Sequence, residues 1–244
     1  MKLLGDGLRW RLVAALAVSD RRVNELVEQV QQPANLVSYH LARLRASRLV
    51  VERRSSADAR DVYYHLDLER LQAALRGSAA AIHPGLWPAS PTTAASGRRP
   101  VRVLFLCTHN SARSQMAEAI LRHHGADSVL ARSAGSHPSR VHPLALRTLA
   151  ELGVDAGGLE SKPLDSVASQ HFDYVITLCD KVREVCPGWP GEPELVHWSL
   201  ADPSIVDASE EEAVLAFRRT AAELSRRVRY LLGALAGMPD DDAA

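Results

Sequence analysis

The residues best equipped for chemistry are Cys107-Thr-His-Asn-Ser-Ala-Arg113-Ser114, set where the apolar run 101–106 gives way to a helical pattern. A cysteine and an arginine separated by five residues at such a junction can build an oxyanion pocket. The backbone N–H groups of Thr108, His109, Asn110, Ser111 and Ala112 can curl around a tetrahedral anion, and the helix N-terminus adds partial positive charge. Arg113 can hold two of the anion's oxygens in a fork. The same field favours the thiolate of Cys107, the nucleophilic form. The plainer alternative is a small buried cysteine at a strand end with an arginine beside it.

The other cysteines are Cys179 and Cys186. Cys179 closes the apolar run 173–178 and therefore emerges on the same sheet edge as Cys107. A helix across 180–186 would hold the two sulfurs roughly 10 Å apart at a rise of ~1.5 Å per residue. A disulfide needs Cα atoms within about 7 Å, so closure requires that segment to unwind or a loop to fold over. That suits a redox cycle better than a static brace, and a structural bridge is unfavourable in a reducing cytosol. Zinc would want four ligands at tighter spacing, so no metal is expected.

The elements that must position these groups fall into two blocks. The chain has 244 residues, 46% hydrophobic and 24% charged, enough for two ordinary soluble domains. No run of about 18 uncharged apolar residues offers a membrane span. The first residues, broken by Asp6, Arg9 and Arg11, lack a signal-peptide core, so a cytoplasmic protein with no membrane partner is expected. The net charge of zero sums unlike parts: residues 1–80 hold 13 basic and 9 acidic side chains, residues 101–244 hold 14 and 20. The basic part is the candidate for a polyanion. Between them, 82–100 carries four prolines without apolar periodicity and reads as a linker. The expected division is a domain at 1–80, a linker at 81–100, a domain at 101–237 and an acidic tail at 238–244.

After the linker, strands at 101–106, 129–135, 173–178 and 194–200 alternate with helices at 112–124, 142–152 and 209–235, the last opened by a Ser209/Glu212 capping box. The pattern is that of an open parallel α/β sheet, whose ligand sites lie beyond the carboxyl ends of its strands. Before the linker come helices at 7–18, at 22–30 (capped by Asp20, with Val23, Leu26, Val27 and Val30 on one face) and at 34–48 (Leu36, Leu41 and Leu44 inward). Strands at 49–54 and 61–66 follow, with Val62, Tyr64 and Leu66 alternating, then a helix at 67–80. Helix, turn, helix and hairpin make the layout of a winged helix-turn-helix, mainly α with a β-hairpin wing.

The 107–114 loop resembles the phosphate-binding loop of the low-molecular-weight protein tyrosine phosphatase family and of the arsenate reductases built on that fold. The similarity runs over 101–236, through Ser133-Ala-Gly135, Val141-His-Pro143 and Asp202-Pro203. The resemblance implies a nucleophile at Cys107, an anion clamp at Arg113, a thiolate-stabilising hydroxyl at Ser114 and a loop-bracing amide at Asn110. It also implies a general acid at Asp202. The family often has glycine where His109 stands, so the backbone there must suit a residue with a Cβ. Cys179 and Cys186 resemble the resolving pair of thioredoxin-coupled arsenate reductases. The implied cycle passes an oxidising equivalent from Cys107 to Cys179 to Cys186 and then to an external dithiol, thioredoxin, or alternatively a low-molecular-weight thiol. No tightly bound cofactor is expected. A potassium ion supports the loop in related enzymes, and Asn110, Glu118 and Ser133 match part of that site.

Residues 7–78 resemble the ArsR-like winged-helix family through Asn35-Leu-Val-Ser38-Tyr39-His40-Leu41 and Val62-Tyr-Tyr64. The resemblance implies double-stranded DNA as partner and a homodimer formed through 7–18 and 67–80. Asn35, Ser38, Tyr39 and Arg43 are candidates for the major groove, and Arg53, Arg54 and Arg60 for phosphates. The blander account is a solvated wing, with His40 completing the core. Residues 1–106 contain no cysteine, so the family's thiolate metalloid site is not available. The combined expectation is an arsenate reductase fused to a DNA-binding regulator. Its rivals are a phosphatase for phosphotyrosine or small esters, and a regulator whose C-terminal domain only senses an oxyanion.

Overall fold

The computed structural model describes residues 4–82, 99–186, 188–205 and 209–236, and the chain divides into two units, Met1–Thr93 and Ala94–Ala244. Most of the proline-rich linker, Pro187 of the segment after Cys186, and the acidic tail lie outside the described residues.

In the first unit, Asp6 opens helix α1 (Gly7–Val18) by accepting the N–H groups of Leu8 and Arg9 at 3.0 Å each. A two-residue strand β1 (Arg21–Arg22) leads into α2 (Val23–Val30), followed by α3 (Ala34–Ala46), β2 (Val50–Arg54), β3 (Val62–Leu66) and α4 (Leu68–Ile82). The strands form an antiparallel sheet in the order β1-β3-β2, with Val50 opposite Leu66 and Arg54 opposite Val62. Leu12, Leu26, Val37, Leu41 and Leu44 are buried at the centre. Three expectations are corrected here. The N-cap of α2 is Arg22, whose N–H donates to Glu25 at 2.7 Å, because Asp20 is drawn into the interior. Leu36 lies outward and Val37 takes the inward place, since the spacing 37–41–44 sets the buried line of α3 and residue 36 lies ~100° around from it. Tyr63 is buried although it alternates against Leu66, because β1 covers its face with the Arg22 guanidinium 5.8 Å from the ring.

In the second unit, the continuous apolar run forms β4 (Val101–Cys107), a central strand of a parallel sheet. The chain continues through α5 (Arg113–Gly125), β5 (Val129–Gly135), α6 (Pro143–Glu151), β6 (Tyr174–Thr177), α7 (Asp180–Glu184), β7 (Glu194–His197) and α8 (Glu210–Ala236). The sheet order is β5-β4-β6-β7. The chain leaves β4 toward β5 on one side and β6 lies on the other, so Cys107 sits at the topological switch point, where such sheets open a crevice. Ser209 and Glu212 cap α8 reciprocally as expected. The last strand is shorter than the apolar run 194–200, yet Trp198 and Leu200 still donate to the carbonyls of Thr177 and Leu178, at 2.9 and 3.4 Å. That path carries the following Asp202 along the edge toward the β4 end.

Candidate active site

Residues 108–112 wrap the end of β4. The carbonyls of Thr108, His109 and Ser111 turn outward to accept N–H groups from His137, Ser139 and His142 at 2.8–2.9 Å. Among the described residues the amides of 109–112 donate to no protein acceptor, which leaves them for the concave side. The left-handed residue of the loop is Asn110, at φ 44°, a conformation asparagine tolerates; His109 is not in that region, so its Cβ costs nothing. Gly135 is required by close approach: a Cβ there would lie 2.7–2.8 Å from Thr108 O, Asn110 N and Cys107 O.

Cys107 is 2% exposed, with its Sγ 2.9 Å from Ser114 Oγ. Asn110 Nδ2 donates to Ser114 Oγ and to Ser133 Oγ, both at 2.8 Å, so the Ser114 hydroxyl proton is available to the sulfur. Arg113 is also buried; its Nη1 donates to Leu200 O at 3.1 Å and its Nη2 to Asp202 Oδ2 at 2.5 Å. Its Nε is buried with no hydrogen-bond partner among the described residues, an orphan donor at the anion loop. Cys179 is buried at the end of the neighbouring strand, its Sγ 3.2 Å from Thr108 Oγ1. All three cysteines are free. Cys186 is set apart from the other two: half-buried beyond α7, it accepts a hydrogen bond from Trp189 Nε1 at 3.3 Å. The helix between Cys179 and Cys186 has only five residues, too short to be stable by itself.

In the first unit, Asn35, Ser38, Tyr39 and Arg43 share one exposed face of α3. Arg43 Nη1 donates to Tyr39 OH at 3.3 Å, and its guanidinium lies 5.7 Å from the ring centre. Arg54 and Arg60 are exposed on the wing and Arg53 is half-buried; Arg54 folds back to the Ala59 carbonyl and Arg60 lies 3.7 Å from Asp58. His40 is buried beside Arg9 and takes the core role.

Known proteins bear on both units. The family model for low molecular weight phosphotyrosine protein phosphatases matches residues 102–238. The chain belongs to that family. A model of the bacterial regulatory protein, arsR family, matches residues 6–51. The arsenate reductase of Halalkalibacterium halodurans is 37% identical over 127 residues, 52% of this chain and 91% of that protein. The glutaredoxin arsenate reductase of Synechocystis sp. is 33% identical over 131 residues, 54% of this chain and 95% of that protein. A solved thioredoxin-dependent arsenate reductase from Corynebacterium glutamicum covers 92% of this chain and 96% of its own, at 28% identity and a TM-score of 0.45.

Opposing influences act on the Cys107 thiol in the phosphatase-family loop. Burial pushes the thiol up. Arg113 pulls it down, the nearby Cys179 pushes it up again, and the Ser114 hydroxyl and N–H pull down; the net direction is upward. Burial is the largest of these influences, and Arg113, which also faces Asp202, opposes it. For Asp202, burial pushes the carboxyl up, but Arg113, the Ser204 hydroxyl and N–H, and His109 together hold it below the usual carboxylate range. Burial likewise raises the Cys186 thiol, with the Trp189 N–H opposing.

A potassium ion does not fit the phosphatase-family loop of this chain. The Asn110 amide oxygen accepts the Lys162 N–H at 2.7 Å and Gln115 Nε2 at 3.0 Å, so it is the amide nitrogen that faces Ser133. A hard cation needs several oxygens. Those left near Glu118 already face Lys162, whose ammonium donates to Glu160 O at 2.7 Å and lies 3.9 Å from Glu118 Oε2.

A second buried network escaped the sequence reading. Asp180 is fully buried at the start of α7; His197 Nε2 lies 3.1 Å from its Oδ1, Ser199 Oγ donates to that oxygen at 2.7 Å, and Thr177 Oγ1 lies 2.8 Å from His197 Nδ1. It pins the chain just after Cys179 to β6 and β7. Its members are single polar residues inside or beside apolar runs, with no motif to mark them. His197→Ala leaves the Asp180 carboxyl buried with a partner missing, so it should cost roughly 3 kcal/mol or more, as removal of one partner of a buried pair does. Urea unfolding of the full chain checks this, and a loss within ~0.5 kcal/mol, the usual range of a surface change, would contradict it.

Proposed function

We propose that the protein is a thiol-dependent arsenate reductase joined to a DNA-binding regulatory module, working in the cytoplasm. The observation that carries the catalytic half is the meeting of two buried free thiols, Cys107 and Cys179, at one sheet edge beside a loop of unpaired amides and a buried arginine with an orphan Nε. A phosphatase needs only the first thiol.

In this reading arsenate settles on the amides of 108–112 and takes the fork of Arg113. The dianion competes with Asp202 for that guanidinium. Once displaced, Asp202 loses the charge that holds its carboxyl low and faces the bound dianion, so substrate binding pushes it up toward the protonated form that the step uses. Cys107 sulfur then forms a bond to arsenic while one oxygen leaves as water with the Asp202 proton. Cys179 sulfur attacks Cys107 sulfur; the S–S bond forms, the electron pair of the S–As bond stays on arsenic, and As(V) leaves as As(III) in arsenite. Cys186 attacks Cys179, freeing Cys107 as thiolate and leaving a 179–186 disulfide. An external dithiol of the thioredoxin or glutaredoxin type reduces it. The short helix α7 is the segment that opens to bring Cys186 in. Arsenite release from arsenate with a thioredoxin or glutaredoxin system, set beside p-nitrophenyl phosphate hydrolysis, tests the reading; ester hydrolysis without arsenite release overturns it.

The exposed face of α3 is the DNA reader in this proposal, with the module acting as a dimer through α1 and α4. On the protein's own upstream DNA, Arg54→Ala and Arg60→Ala should weaken binding about equally for all sequences and lower the salt slope by about one each. Asn35→Ala should cost roughly 1–3 kcal/mol and relax sequence choice. Gel shifts across a salt series measure both, and no retardation of wild type even at low salt rejects the DNA assignment.

A further inference from the structure

The chain uses arginine for 26 of its 29 basic residues, yet a lysine stands at 162, against the buried Glu118. Glu118 is 4% exposed and accepts the Ser133 hydroxyl at 2.6 Å. Through Ser133, Asn110 and Ser114 that carboxylate connects to Cys107. Burying a carboxylate is costly unless a cation and hydrogen bonds compensate it. Arg122, on the same helix, lies 3.7 Å from one Glu118 oxygen; Lys162 approaches the other and is 20% exposed. The backbone of Lys162 is committed as well: its N–H donates to Asn110 Oδ1 at 2.7 Å, and its carbonyl accepts Gly135 N–H at 2.9 Å. One residue therefore fixes the amide of Asn110 and neutralises the carboxylate behind it.

We propose that the Lys162 ammonium is the built-in cation of the anion loop, a positioning residue that braces the buried Glu118 side chain and frees the loop from any need for potassium. A bound ion would have to displace the ammonium, and the asparagine offers it N–H instead of oxygen. Lys162 acts on Cys107 only through Asn110 and Ser114.

The test compares wild type, Lys162→Met, Glu118→Gln and the double variant, all as the full chain. Thermal midpoint and affinity for inorganic phosphate are measured in sodium, potassium and choline chloride at equal ionic strength. Wild type should show the same midpoint and affinity in all three salts. Lys162→Met should bind phosphate roughly tenfold more weakly, a coupling typical within one hydrogen-bond network. It should recover part of that loss in potassium, which sits where the ammonium was. Adding Glu118→Gln to Lys162→Met should restore the midpoint, because the buried charge that Lys162 shares with Arg122 is gone. A loss of packing alone would show neither the potassium response nor the rescue. The inference is overturned if wild type is stabilised by potassium over sodium, if Lys162→Met behaves as wild type, or if Glu118→Gln brings no rescue. It rests on the anion-loop reading, but these readouts require no turnover. Failure to reduce arsenate would count against the proposed function and leave the cation result standing.

Discussion

The Cys186→Ser variant is expected to release about one arsenite per chain and then stop. Cys107 and Cys179 lie at the ends of adjacent strands, with the Cys107 sulfur at Ser114 and the Cys179 sulfur at Thr108, so the first disulfide of the proposed cycle joins two residues beside one loop. The third cysteine is different. It is held beyond α7 by Trp189 and packed against the core, and its sole use in the proposed cycle is to lift the oxidised bond off Cys107. Without it, the 107–179 disulfide stays buried, out of reach of a bulky reductant. Quantifying arsenite per chain and mapping the disulfide by peptide mass would show this; sustained thioredoxin-driven turnover by Cys186→Ser would contradict the relay. Cys179→Ser separates the rivals: arsenite release is lost while hydrolysis of p-nitrophenyl phosphate survives, because ester hydrolysis needs only Cys107, Arg113 and an acid.

Asp202→Ala should slow the first chemical step by on the order of 10²–10⁴-fold, the span of a positioned general acid. The same change should tighten phosphate binding. The two effects have opposite sign because Asp202 has two parts in the proposed cycle: it pairs with Arg113, and it delivers a proton once the anion has displaced it. Removing the carboxylate also leaves the whole Arg113 charge acting on Cys107, so its thiol should titrate at lower pH than in wild type, where burial pushes it up. Calorimetric titration with phosphate, single-turnover rates with arsenate and the pH profile of Cys107 alkylation measure the three. Weaker phosphate binding in Asp202→Ala would mean that the Arg113–Asp202 pair does not guard the loop.

Much of the architecture was legible in the residues because its signals are local. The run 101–106 is apolar without alternation, so only a strand buried on both faces suits it. The Cys107-to-Arg113 spacing marked the strand–helix junction at the end of β4, and Ser209 with Glu212 marked the start of α8. The exposed face of α3 followed from its helical spacing. What stayed hidden depends on residues distant in the chain. Leu36 looked as apolar as Val37, and only the packing of α3 against its neighbours turned one out. The partner of Arg113 could not be read from its loop, because Asp202 lies 89 residues further along the chain. The Asp180–His197 network and the Lys162–Glu118 approach are likewise set by which strand ends meet.

By itself, the sequence determined that this chain carries an α/β unit with a cysteine and an arginine bracketing the loop after its first strand, and a helical unit with a wing. Periodicity, caps and turn residues act over a few positions and are written in order. The tertiary structure alone decided which charges face one another: that Arg113 is held by Asp202 and that a lysine stands against the buried glutamate. Coulomb energy and desolvation depend on distances through space, and those exist only once the strands have paired.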